Sequence, residues 1–172
     1  MKRTVLTFGL ISGALSSAMM LATLPFIDEL GFEKGAVVGY TAMVLAFLLV
    51  FFGIRSFREQ QGGAISFGRA FAVGGLITLI SCVCYVATWE VIYFKFMPGF
   101  GDKWAAHMIE QVRASGAGEA AVQAATRRAQ DFKTMYDKPL VNAAMTFVEP
   151  LPVGLLMTLV SSVILRRKRE RQ

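Results

Sequence analysis

The chain has 172 residues, of which 55% are hydrophobic, and it carries a formal net charge of +6. That apolar share exceeds the usual range of soluble domains and the mean hydropathy is +0.52, so lipid is the expected solvent. The basic excess argues against a nucleic-acid binder, because the Lys and Arg residues punctuate apolar runs instead of gathering on one surface.

The first apolar run, 5–27, reaches roughly 34 Å at 1.5 Å per residue, enough to cross a hydrocarbon core of about 30 Å. Met1-Lys2-Arg3 ahead of it resembles a signal-peptide start and Ser16-Ser17-Ala18 offers small residues for cleavage. The run continues through Leu24, past any such site, so a retained helix is expected. Gly9 and Gly13 form a Gly-x-x-x-Gly pair, which is either a close-approach surface for another helix or the chance product of a Gly- and Ser-rich segment. A short acidic link with Asp28, Glu29 and Glu33 leads to the second run, 36–54, where Gly35 and Gly39 repeat the small spacing. From Arg55 to Gly63 the composition turns polar and reads as an exposed loop, closed by Arg69.

The third run, 70–94, ends among Trp89, Tyr93 and Phe96, a placement that fits the aromatic belt at a membrane interface. The polar stretch 95–138 follows. Within it Trp104, Met108 and Val112 recur at helical spacing, then Val122, Ala125, Ala129, Phe132 and Tyr136, with Gly116 and Gly118 between the two sets; two short surface helices are predicted. The fourth run, 139–165, opens with Pro139 in its first turn and is stopped by Arg166-Arg167-Lys168-Arg169. The expected fold class is therefore all-α, a single four-helix transmembrane domain over 1–172 with an outer loop at 95–138 and a basic tail at 166–172.

Charge orients such a bundle. The amino end, the loop between runs two and three, and the tail hold ten basic residues against Glu59 and Glu170, whereas the two opposite segments carry eight of each sign. Positive residues beside membrane helices stay cytoplasmic, so both termini are expected inside and 95–138 outside. Arg55, Arg58, Arg69, Arg166, Arg167, Lys168 and Arg169 are also candidates for lipid headgroup phosphates, at roughly 1 kcal/mol per residue.

Catalytic constellations are scarce. Cys82 and Cys84 point about 200° apart on a helix and read as small buried residues. His107 lacks neighbours at metal-ligand spacing, and there is no phosphate-binding loop, dinucleotide fingerprint or nucleophile-elbow serine. No enzyme activity, metal or cofactor is expected. The polar candidates are two carboxylates within apolar runs, where ionisation costs roughly 2.5–3.5 kcal/mol at the bilayer centre. Glu90 sits near the outer end of run three. Glu149 lies deeper, ahead of Pro150 and Pro152, which remove backbone donors and free carbonyls. Glu149 is expected to meet Glu90, Asn142 or Thr88, as a proton or cation site or as a hydrogen-bonded structural acid that fixes the kink.

Three blocks carry a likeness. Gly53-Ile54-Arg55-Ser56-Phe57-Arg58 with Gly62-Gly63-Ala64-Ile65-Ser66-Phe67-Gly68-Arg69-Ala70-Phe71, then Asp137-Lys138-Pro139-Leu140-Val141-Asn142, then Met145 to Leu155 with its Glu-Pro-x-Pro-Val-Gly turn, resemble a bacterial family of small four-pass proteins, the domain of unknown function 4199. The resemblance implies the bacterial cytoplasmic membrane and brings no reaction, substrate or cofactor. The expected role is structural or accessory, in a homo-oligomer or larger membrane complex joined through helix faces; the competing expectation is a small proton- or cation-linked transporter using Glu149 and Glu90.

Overall fold

The computed structural model describes residues 1–167, apart from the side chain of Asp28. Among the described residues the regular structure is helical: α1 (Lys2–Thr23), a 3₁₀ turn (Leu24–Phe26), α2 (Ile27–Gln60), α3 (Phe67–Val91), a π turn (Ile92–Phe96), α4 (Phe100–Ala114), α5 (Glu119–Tyr136), α6 (Pro139–Val148) and α7 (Pro150–Leu165). Four stretches are long and apolar enough to cross a membrane: Lys2–Phe26, Glu29–Gln60, Phe67–Phe96 and Pro139–Leu165.

The second span is longer than its apolar run. The acidic link is helical, kinked at Gly31, whose φ of 66° lies outside any helix. At the other end the segment expected to be a loop from Arg55 continues the helix to Gln60. Arg55 Nε meets Glu59 Oε1 at 3.0 Å and Gln60 Nε2 donates to Ser56 Oγ at 3.2 Å, both one helical turn apart, so polar side chains prolong the helix beyond the apolar stretch. The turn itself is confined to a few residues around Gly62 and Gly63, at φ 80° and 85°.

The chain divides into two compact units, Met1–Val86 with the chain from Phe147 onward, and Ala87–Thr146. In the first, Met43, Phe47, Val50, Ile54, Val73 and Ile77 form a buried core, while many other large apolar side chains point outward. Leu6, Leu10, Ile11 and Leu15 of α1 are exposed, while its buried face is Thr4, Val5, Gly9, Ser12, Gly13 and Ser16. On α7, Leu156, Leu159, Val160 and Ile164 are exposed and Gly154, Thr158, Ser161 and Ser162 are buried. Lipid is as apolar as leucine, so burying leucine gains nothing there, and close packing of small residues holds the helices together.

Glycines set those contacts. A Cβ on Gly9 would collide with Ile80 and one on Gly13 with Cys84, so α1 lies directly against α3. Gly53 of α2 is covered by Phe8 and Ile77, Gly74 of α3 by Ile54 and Thr158, and Gly154 of α7 by Thr78 and Phe47. Hydroxyls stitch the same seams: Ser12 Oγ donates to Ala46 O at 2.9 Å, Ser81 Oγ to Gly9 O at 3.2 Å, and Thr78 Oγ1 to Gly154 O at 3.2 Å.

In the second unit α4 and α5 form a hairpin turned at Gly116, φ 74°. The rings of Trp104 and Phe132 meet at 4.5 Å and those of Phe132 and Tyr136 stack at 5.3 Å, so these apolar faces pack against each other. Ala129 beneath them is fully buried.

Candidate functional site

The fourth span breaks at Glu149. Pro150 and Pro152 have no N–H to continue the helical ladder, and Val148 and Pro150 accordingly end and begin separate helices. The Glu149 backbone nonetheless stays right-handed, at φ −66° and ψ −56°. The break is thus a gap in the hydrogen-bond ladder, and it lies near the midpoint of the Pro139–Leu165 span.

The Glu149 side chain is exposed on the first unit. Its hydrogen-bond partner among the described residues is Tyr85 of α3, whose hydroxyl donates to Oε2 at 3.4 Å. That is a long bond, and it leaves most of the carboxylate's acceptor capacity unused. Tyr85 was missed in the sequence because the relative height of two helices depends on the connections between them.

The other polar candidates lie in the second unit. Asn142 is fully buried and spoken for: its Nδ2 donates to Tyr136 O at 3.2 Å and its Oδ1 accepts from Thr146 Oγ1 at 3.2 Å. Tyr136 joins the same network, its hydroxyl accepting from Trp89 Nε1 at 3.0 Å and pairing with Thr146 Oγ1 at 3.1 Å. This is a lock between helices. Glu90 has a buried Oε1 with no hydrogen-bond partner among the described residues. Nearby, Tyr93 donates to Asp137 Oδ1 at 2.6 Å, and Lys133 donates to Asp102. The hydrogen bond to Asp102 raises the Lys133 pKa above the ordinary lysine value, with Asp137 adding to the pull.

The four glycine candidates part company. Gly9 and Gly13 are consumed by α3, whereas Gly35 and Gly39 have open space where a side chain would be, amid exposed Val37, Val38 and Tyr40. Among the headgroup candidates, Arg55, Arg69, Arg166 and Arg167 are exposed and Arg58 is half-buried; Lys168 and Arg169 lie outside the described residues. Three contacts draw this end of the first unit together. Thr4 Oγ1 meets Gln60 Oε1 at 3.3 Å, Arg58 Nη1 reaches Leu165 O at 3.5 Å, and Ile65 and Arg167 exchange both backbone hydrogen bonds as an antiparallel bridge. His107 contacts Gln111 at 3.1 Å, and among the described residues no group of three or more His, Cys, Asp or Glu is placed to hold a metal.

A family model described as protein of unknown function (DUF4199) matches residues 7–167. No curated protein and no solved structure matches the chain.

Proposed function

The chain belongs to the DUF4199 family, and from the surface around Glu149 we propose that it is a non-enzymatic accessory subunit, built to associate with a second copy or another membrane protein. The observation that carries this reading is the exposed, singly bonded carboxylate at mid-span. Carboxylates at that depth face a bundle interior or a wet cavity, since meeting lipid while ionised costs roughly 2.5–3.5 kcal/mol. A neighbouring helix that supplies a donor removes that cost. Gly35 and Gly39, open where Gly9 and Gly13 are filled, support the same reading, because a backbone without side chains admits another helix closely.

The end that gathers Lys2, Arg3, Arg58, Arg69 and Arg167 is proposed to face the cytoplasm of a bacterial cell, with both ends of the chain on that side. A reporter fused within 103–136 is expected to read outside; a cytoplasmic signal there overturns the orientation.

To test association, a photo-cross-linker at Val148, 62% exposed and adjacent to Glu149, is activated in native membranes. A discrete protein adduct is expected, and Glu149→Leu should diminish it. Adducts to lipid alone would sink the proposal. The competing reading, a proton- or cation-linked carrier, draws on the same carboxylate and its Tyr85 partner. It predicts that Glu149→Gln abolishes proton flux into liposomes holding the purified chain, while association persists.

A further inference from the structure

The turn between α2 and α3 concentrates arginines that the protein itself leaves under-used. Arg58 anchors it from within: its carbonyl accepts from Gln61 N at 3.1 Å and Gly63 N at 3.0 Å. Its guanidinium, with five donors available, reaches Leu165 O at 3.5 Å through Nη1, and its buried Nε has no partner among the described residues. Arg69, in the first turn of α3, touches Gln61 Oε1 at 3.5 Å. The bridge between Ile65 and Arg167 then fixes the backbone of Arg167, and with it Arg166, beside this same turn.

Among the described residues, acid at this end is limited to Glu59. Among the described residues the ion pair at this end joins Arg55 to Glu59 at 3.0 Å, and it engages neither Arg58, Arg69 nor Arg167. The turn also adjoins the amino-terminal end of α3, where backbone N–H groups add positive potential. Phe67 and Phe71, exposed and with rings 5.9 Å apart, place an aromatic pair at the same level, as residues at a headgroup boundary do.

We infer that Arg58, Arg69, Arg166 and Arg167 form a seat for the phosphodiester of an anionic phospholipid, held open by the backbone bridge between Ile65 and Arg167. The chemistry required is a phosphate oxygen at the end of a membrane span, where acyl chains lie along the exposed apolar faces of α2 and α7. Scattered charges that merely orient a protein need no fixed spacing. Here the backbone positions of the arginines are fixed by the turn, the α7 terminus and the bridge, so discrete binding is expected in place of diffuse attraction. This inference is independent of the association proposed through Glu149.

The test uses the full chain in detergent, with phosphatidylglycerol or phosphatidylcholine added and bound lipid counted by native mass measurement. Phosphatidylglycerol is expected to remain bound at defined stoichiometry and phosphatidylcholine to be lost. Replacing Arg58, Arg69 and Arg167 together with Gln should weaken retention on the order of a hundredfold, at about fivefold per arginine. The same exchange at Arg113, Arg127 and Arg128 should leave it unchanged. Arg167→Gln alone spares the backbone bridge and should show about the single-residue loss, so the inference remains open to refutation if the triple variant fails to fold. Equal retention of both lipids, or undiminished phosphatidylglycerol on Arg167→Gln, would overturn it. So would full competition by millimolar inorganic phosphate, which would assign the seat to a free anion.

Discussion

The two units are built on opposite principles. The first joins its helices through buried glycines and hydroxyls beside a core of Phe47, Val50, Ile54 and Ile77 and displays further leucine, valine and isoleucine; the α4–α5 hairpin of the second packs half-buried Trp104, Phe132 and Tyr136 against one another and displays Asp102, Lys103, Arg113 and Arg127. The difference teaches which solvent each segment answers to. In water, ring burial contributes through the hydrophobic effect; in lipid that contribution vanishes, and contact between backbones takes its place.

The comparison is most easily broken at Gly154. Gly154→Val would push into Thr78 and the Phe47 ring and should cost about 3 kcal/mol, with loss of the folded species in detergent thermal scans; near-neutral behaviour would show that the first unit is not held by close packing. The mirror experiment removes bulk from the second unit. Phe132→Ala deletes the ring against Trp104 and Tyr136 and should cost about 2 kcal/mol, somewhat less than a fully buried ring because Phe132 is half-buried. Hydrogen exchange should show that loss in 100–136.

Hydroxyl stitching is weaker than either. Thr78→Val keeps the shape and deletes the bonds to Gly154 O and Thr158, an expected cost of about 0.6–1.7 kcal/mol by analogy with hydrogen bonds between membrane helices. A larger loss would make polar bonding, not packing, the main cohesion. The smallest effect belongs to the exposed Lys133–Asp102 pair. Lys133 holds its proton more tightly when folded, so its contribution is complete below the ordinary lysine pKa and disappears as pH rises through the raised value. Hairpin stability should therefore decline at alkaline pH in the wild type, and the decline should be shallower in Lys133→Gln.

Much of this architecture was legible. Run length and hydropathy marked the four spans, because a bilayer imposes one thickness on every helix that crosses it. The extension of α2 to Gln60 was not, since a helix that leaves the apolar layer can continue on i,i+4 polar pairs and hydropathy is silent about those. Small-residue spacing was legible as permission and not as contact: Gly9–Gly13 and Gly35–Gly39 read alike, yet one pair is filled and the other open. The repeats Gly74, Thr78, Cys82 and Gly154, Thr158, Ser162 carried the same four-residue signal, and all six residues are buried. Glu149 stood out through its cost alone. Its partner Tyr85 required the heights of α3 and α7 to be known.

The bridge between Ile65 and Arg167 also has a history in time. Ile65 leaves the ribosome 102 residues before its partner, an interval of about 5–20 s at ordinary elongation rates. Throughout it, the peptide N–H and C=O of Ile65 must be satisfied by something other than their eventual mate. Hydrocarbon would charge several kcal/mol for each idle group, whereas water satisfies both at little cost. A junction that waits for the fourth span is therefore confined to an aqueous rim, and order of synthesis, no less than charge, dictates where on this molecule a non-helical backbone pairing is tolerated.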